Sequence, residues 1–309
     1  MIKKILITGS KGMLAKNIIN DSRFKRFKLL KLSRENFNLK NDKKLIKFLK
    51  KFRPDLIIHC AAKVGGIGDN FNNNLTYLRE NIEINNSVIL SAKEAGIKKF
   101  INFGSSCMYP ITAKKPLKEN SISINDLEKT NVGYALSKII SLEACKIVNK
   151  DNRFNYKTII PCNLYGPHDN FDLEKSHMLQ SAIKKIYTAK KKGLTSIEMW
   201  GSGNAKREFM YIKDLVDFIL ILIKKFNRSP DIINVGTGKE YSINKYYQSI
   251  LEILNFNPKI VRLINKPEGQ MSKVLNIKVS KKLGWINNTE LKEGIRKTLK
   301  NYIAKYEKY

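Results

Sequence analysis

Short apolar runs alternate with stretches of helical periodicity through the first half of this 309-residue chain. A glycine-rich turn joins the first apolar run to the first helical stretch, and past Gly166 the alternation loosens. These three observations predict an α/β fold, a doubly wound parallel sheet covered by helices on both faces, with a smaller α/β cap.

The elements follow in order. Ile2 to Thr8 reads as a strand and Met13 to Asn20 as a helix. Phe27 to Leu32 is a second strand, Lys43 to Phe52 a helix, and Leu56 to Ala61 a third strand. A long helix is expected near Leu75 to Ala95, a strand over Phe100 to Gly104, a helix over Tyr134 to Asn149 and a strand over Thr158 to Cys162. Beyond Gly166 come loops, a basic helix near Met178 to Lys190 and a strand at Ile197 to Trp200. The chain returns to the main sheet near Ile232 to Gly238 and rejoins the cap from about Val261. The expected division is residues 1–165 with about 208–260 in the main domain, and about 166–207 with 261–309 in the cap.

Hydrophobic residues at 42% and charged residues at 28% give a soluble globular balance with material for a core. The longest apolar run, Phe218 to Ile223, is too short to span a bilayer, and Ile5-Leu6-Ile7 is too short for a signal sequence. A cytoplasmic location and no membrane partner are expected. The four cysteines form no CxxC pair and no His/Cys cluster has zinc spacing, so reduced thiols and no metal are expected. The net charge of +31 raises nucleic-acid binding. The lysines are spread along the chain among Asn and Ile, without an arginine-rich arm or aromatic RNA-binding motif, so no nucleic-acid partner is expected. A positive field of this size does attract phosphate-bearing ligands.

Thr8-Gly9-Ser10-Lys11-Gly12-Met13-Leu14-Ala15 lies between the first strand and the first helix. Glycines there let the backbone turn tightly and approach a pyrophosphate, which then meets the free N–H groups of the helix N-terminus. Strand before and helix after turn a weak glycine pattern into a Rossmann-type dinucleotide site. The second strand ends in Leu32-Ser33-Arg34, where NAD-binding proteins place an acidic residue for the ribose. Ser33, Arg34 and nearby Lys11 suit a 2′-phosphate instead, so NADPH/NADP is the expected cofactor. Gly9, Lys11, Gly12, Met13, Leu14, Ser33, Arg34, Ala61, Ala62, Lys138 and Asn163 are its candidate contacts.

Tyr134 and Lys138 stand one helical turn apart, on one face. The ammonium can stabilise the phenolate, and such a tyrosine can protonate a carbonyl oxygen as hydride reaches the carbon. Ser105 sits at the carboxyl end of the preceding strand, where doubly wound folds bind ligands. Ser105, Tyr134 and Lys138 read as a catalytic triad.

At these residues the chain resembles the GDP-L-fucose synthase family, 3,5-epimerase/4-reductases of the extended short-chain dehydrogenase/reductase superfamily. The resemblance runs nearly end to end. It is carried by Ala61-Ala62-Lys63-Val64-Gly65-Gly66-Ile67, by Gly104-Ser105-Ser106-Cys107-Met108-Tyr109-Pro110 and by Asn163-Leu164-Tyr165-Gly166-Pro167-His168-Asp169-Asn170-Phe171. Ser176-His177 and Trp200-Gly201-Ser202-Gly203 with Arg207-Glu208-Phe209 complete it. The resemblance implies Cys107 and His177 as the acid/base pair of epimerisation. A C4 ketone acidifies the C3 and C5 protons, so one group can remove a proton and another return it on the opposite face. It also implies that Lys185, Trp200, Arg207 and Lys273 hold the GDP part, and it suggests a homodimer. The chain departs from the family at Lys11 and Lys185, where arginine is usual, and at Val132-Gly133, where Glu-Pro is common.

The resemblance thus implies a GDP-4-keto-6-deoxy sugar as substrate, with C3/C5 epimerisation and C4 reduction. A GDP-4-keto-6-deoxy-heptose, or a C4 reductase without epimerisation, stays open. A non-catalytic dinucleotide sensor on the same fold is the remaining reading, and an intact Ser105, Tyr134 and Lys138 argues against it.

Overall fold

In the computed structural model, which describes residues 2–266 and 269–306, the apolar runs become six parallel strands. They are β1 (Lys4–Thr8), β2 (Lys28–Leu32), β3 (Leu56–His59), β4 (Lys99–Phe103), β5 (Asn155–Pro161) and, later in the chain, Ile232–Val235. The sheet order is Ile232–Val235, β5, β4, β3, β1, β2. β1 pairs with β2 on one side and β3 on the other, Leu6 lying opposite Leu30 and Ile57. The chain therefore reverses its winding at β1, and a crevice opens above the ends of β1 and β3.

Side chains alternate across this sheet with period two. Leu6, Ile57, Phe100 and Tyr156 enter a cluster with Leu45, Leu49, Ile84 and Val88. These come from α2 (Asp42–Phe52) and α4 (Asn74–Glu94), the latter following the short α3 (Ile67–Asn72). Ile5, Ile7, Leu56, Ile58 and Ile101 enter the opposite cluster with Ile18 of α1 (Met13–Asn20). Each fully buried Leu or Ile contributes about 1.5–3 kcal/mol, so both faces hold the sheet strongly. Helix α5 (Val132–Asn149) packs along α4.

The looser half orders as well. β6 (Asn163–Tyr165) leads to α6 (Met178–Lys191), β7 (Ser196–Trp200), β8 (Lys206–Arg207) and β9 (Phe209–Tyr211). Helix α7 (Ile212–Lys224) contains the apolar run noted above and packs against α1, before the sixth sheet strand, β10 (Ile232–Val235). Next come β11 (Tyr241–Ser242), α8 (Ile243–Leu254), β12 (Lys259–Leu263), α9 (Lys278–Lys282) and α10 (Leu291–Tyr306). β7 pairs in parallel with β12, and β6 with β9. A separate apolar cluster joins Ile183 and Ile186 of α6, Met199 of β7, Tyr246 and Ile250 of α8, and Ile295 and Leu299 of α10. Among the described residues no helix is long and apolar enough to cross a membrane.

Candidate active site

Gly9 leaves β1 at φ +64°, and a Cβ there would stand 2.7 Å from the backbone N and Cα of Ala61. Only glycine permits both the left-handed turn and this approach to the loop after β3. The Gly12 N–H closes the turn on the Gly9 carbonyl at 2.9 Å. Gly12 offers no side chain to cap α1, so the N–H groups of its first turn, beginning at Met13 and Leu14, face no side-chain acceptor. That cradle fits a pyrophosphate. Ala61 and Ala62 are half-buried at the crevice.

The residues expected to select the cofactor follow β2, whose Leu32 carbonyl accepts from the Ser10 N–H of the same turn at 2.9 Å. Ser33 is buried, its N–H bonded to Asn36 Oδ1 at 2.7 Å. Arg34 is exposed and stands 3.9 Å from Glu80, which also holds Lys63 at 3.1 Å. Lys11 pairs with Glu35 at 3.1 Å across an exposed surface. Both cations rest on carboxylates that a 2′-phosphate can displace, since exposed ion pairs hold weakly.

The Gly104-Ser105 peptide follows β4, and residues 106–108 form one tight helical turn. The Cys107 N–H donates to Ser105 Oγ at 3.2 Å. Ser105 also lies near enough to the Tyr134 phenol to favour its charged form. Burial pushes the Tyr134 phenol well above its ordinary range; the charge of nearby Cys107 adds to this and Ser105 opposes it. Lys138 Nζ lies 5.7 Å from the Tyr134 ring centre. Burial brings the Lys138 ammonium down to about 8. An ammonium one turn away is expected to lower the tyrosine's proton affinity. In the structure burial outweighs it, because the same dry pocket disfavours both charged forms. The phenol is thereby kept protonated at neutral pH, as a proton donor must be.

His177 precedes α6 and its imidazole is brought below its usual range by burial. Its segment docks on the Gly65-Gly66 loop after β3: Gly66 N–H donates to Lys175 O at 2.9 Å, and a Cβ on Gly66 would stand 2.4 Å from Ser176 O. That loop runs into α3, which packs against the 129–131 turn. There Asn131 Nδ2 donates to Cys107 Sγ at 3.4 Å. A continuous set of contacts therefore joins the segment of His177 to Cys107. His59, by contrast, is buried between Thr8 Oγ1 (2.8 Å) and Asn85 Oδ1 (3.1 Å). Burial, then Lys138, lower it to about 3, so it is a neutral strut. His168 has positive φ and lies beside Asn20 Nδ2 at 3.2 Å.

The expected GDP-binding residues fall into two groups. Lys185 Nζ donates to Glu198 O at 3.0 Å, close along β7 to the half-exposed Trp200, whose ring lies 5.5 Å from Lys266 Nζ. Arg207 Nη1 donates to the carbonyls of Lys206 and Gln270. Lys273 is buried and paired with Glu128 at 3.4 Å. A Cβ on Gly269 would meet both Glu128 and Arg207, so this second group converges on the turn before α5. Asn163 Nδ2 donates to Glu208 O at 3.1 Å, at the root of the same region. Among the described residues no cluster of His, Cys, Asp and Glu is suited to a metal.

Residues 5–236 match the NAD dependent epimerase/dehydratase family. The chain belongs to that family. Two relatives of this epimerase-family enzyme align over nearly their whole length. GDP-L-colitose synthase of Yersinia pseudotuberculosis is 42% identical over 301 residues, covering 97% of this chain and 98% of the relative. GDP-L-fucose synthase of Azorhizobium caulinodans is 36% identical over 307 residues, covering 99% and 98%. A solved GDP-mannoheptose C4 reductase from Campylobacter jejuni with NADP bound has a TM-score of 0.86 at 27% identity, covering 97% of this chain and 98% of that one.

Sequence reasoning passed over four polar residues that the epimerase fold brings into the site. Glu80 and Glu128 are the partners of Arg34 and Lys273. Asn131 touches Cys107. Glu208 is fully buried, accepts from the N–H groups of Gly238 (2.7 Å) and Leu275 (2.8 Å), and is raised to about 7 by burial. Of these only Glu208 carried a sequence signal, its place in Arg207-Glu208-Phe209.

Proposed function

We propose that the enzyme is an NADPH-dependent epimerase/reductase that converts a GDP-4-keto-6-deoxy sugar by C3/C5 epimerisation and C4 reduction. One observation carries the reading. Ser105, Cys107 and Tyr134 meet at one strand end, with Cys107 and Tyr134 close enough to feel each other's charge. A reductase alone needs Ser105, Tyr134 and Lys138; the thiol adds a second acid/base group facing the same sugar. Relatives named for GDP-L-colitose, GDP-L-fucose and GDP-mannoheptose support a GDP-linked sugar.

Gly9, Gly12 and the first turn of α1, with Ser33, Arg34 and Lys11 at the 2′-phosphate end, would hold NADPH, which would supply hydride for C4. Tyr134 gives its proton to the C4 oxygen, Ser105 orients that oxygen, and Lys138 steadies the phenolate left behind. Before reduction, Cys107 takes a proton from carbon next to the ketone and His177 returns one from the other face. Arg207 neutralises the diphosphate, with Lys273 released from Glu128 to join it; Lys185 and Trp200 hold the guanosine end. The protein works as a homodimer through α4 and α5. Leu90, Ile140 and Ile147 are exposed there, and the last two, seven residues apart, share one face.

The test uses NADPH and each candidate GDP-4-keto sugar, hexose and heptose, with products identified by NMR. In D₂O without NADPH, the wild type should wash deuterium into C3 and C5, and Cys107→Ser should not. Undiminished exchange in Cys107→Ser removes Cys107 from the mechanism. No exchange in the wild type makes the enzyme a simple C4 reductase.

A further inference from the structure

Asn131 stands at the N-terminus of α5, where an asparagine ordinarily turns its side-chain oxygen onto a backbone N–H of the first turn. It makes no such bond here. The Gly133 N–H is taken instead by Asn74 Oδ1 of α4, at 3.0 Å. The Asn131 amide is turned the other way, its Nδ2 donating to Cys107 Sγ at 3.4 Å. The residue is only 8% exposed, and its Oδ1 meets no hydrogen-bond partner. Giving up the helix cap and burying an unpaired acceptor both cost stability. A side chain placed solely to build the turn would have done the opposite on both counts.

We propose that Asn131 is a positioning residue for proton exchange: its N–H fixes the Cys107 sulfur and favours the thiolate, and its unpaired oxygen accepts a hydroxyl of the bound sugar. The proposal rests on the reading of Cys107 as the epimerisation base. In that step the thiolate takes the carbon-bound proton and becomes S–H, and the electron pair of the C–H bond moves into the ketone to form the enolate. Asn131 neither gives nor takes a proton. A donor aimed at sulfur is the neutral counterpart of the cations that usually activate thiols.

The full-length enzyme is treated with iodoacetamide, and modification of the Cys107 peptide is followed by mass spectrometry, with Cys107→Ser as the blank. Asn131→Leu keeps the shape and removes donor and acceptor; Asn131→Asp keeps the shape and the acceptor, and serves if the leucine variant folds poorly. Alkylation near neutral pH should slow about tenfold in either variant, the worth of a hydrogen bond to a charged group at its lower end. The pH profile of alkylation should move to higher pH. With the 4-keto sugar in D₂O, the ratio of C3/C5 exchange to C4 reduction should fall by a similar factor. Wild-type alkylation rates and pH profile in both variants would overturn the proposal. If alkylation slows but the wild type itself exchanges no deuterium, the epimerase reading fails while the hold of Asn131 on Cys107 stands.

Discussion

Replacing Arg34 with alanine should erase most of a preference for NADPH over NADH, and the structure allows the size to be worked out. Arg34 now faces Glu80 at 3.9 Å with most of its side chain in water, an arrangement worth at most about 1 kcal/mol. A charge-assisted bond to a 2′-phosphate is worth about 1.5–3 kcal/mol, so the exchange of partners stays favourable. The net gain for NADPH is then about 0.5–2 kcal/mol from Arg34, or roughly two- to thirtyfold in affinity. The same arithmetic makes Glu80 a competitor. Glu80→Gln should tighten NADPH binding about two- to fivefold by freeing Arg34 and Lys63, and leave NADH unchanged. The assay is NADPH and NADH fluorescence titration of the wild type, Arg34→Ala and Glu80→Gln, which needs no sugar substrate. Unaltered NADPH/NADH selectivity in Arg34→Ala would refute the assignment of the 2′-phosphate to this strand end.

Tyr134→Phe keeps the ring against Tyr77 and removes the proton; C4 reduction should fall about 10²–10⁴-fold with cofactor affinity little changed. Burial brings Lys138 down from its ordinary 10.5 to about 8, so reduction should decline as pH rises through about 8 while Tyr134, pushed upward, stays protonated. A flat rate to pH 9.5 removes the charged lysine from the mechanism. Ile147→Asp, with Ile140→Asp as its companion, should turn the proposed dimer into a monomer in sedimentation velocity, because an unpaired carboxylate would be buried on α5; a wild-type monomer, or a dimer unchanged by both substitutions, removes the proposed α4–α5 interface.

The fold was legible where one pattern had one cause. The short continuous apolar run of Lys4–Thr8, buried on both faces and followed by a glycine turn and a helix, is the pattern of a parallel-sheet interior strand, and Gly9 sits where its left-handed turn and the close approach of Ala61 require glycine. Helices α7, α8 and α10 were not read, because their apolar positions serve packing in the tertiary fold and no glycine motif marks their starts. β5 begins at Asn155, earlier than Thr158, because register with Lys99 on β4 decides a strand's start. At the site, Ser105 and Tyr134 were legible from position alone. Glu80, Glu128 and Asn131 were not, since each acquires its partner from a segment tens of residues away: Arg34, Lys273 and Cys107. Lys273 shows the limit most sharply. As a sequence letter it is a free cation for a diphosphate, and in the fold it is a buried ion pair that must first be opened.

On the proposed roles, the coupling between Cys107 and Tyr134 also sets the order of events. Negative charge on Cys107 holds the proton on Tyr134, beyond what burial does. In the proposed step, the sulfur must give up its proton before it takes one from carbon; for as long as it carries that charge the phenol is the poorer donor, and premature protonation of the C4 oxygen is disfavoured. Once the sulfur has become S–H, that charge is gone, and Ser105, with Lys138 in its proposed role, favours the phenolate. The tyrosine is then a stronger acid, at the moment when hydride transfer needs one. Exchange before reduction thus follows from two groups sharing one dry pocket, without any moving part. Cys107→Ser removes the thiolate for good, so its Tyr134 should donate at least as readily as in the wild type. Single-turnover reduction of the unepimerised ketone by Cys107→Ser should consequently keep pace with the wild type, yielding a product with C3 and C5 unchanged. Loss of hydride transfer in step with loss of deuterium exchange would show that the thiol serves reduction directly, and the electrostatic ordering would fall.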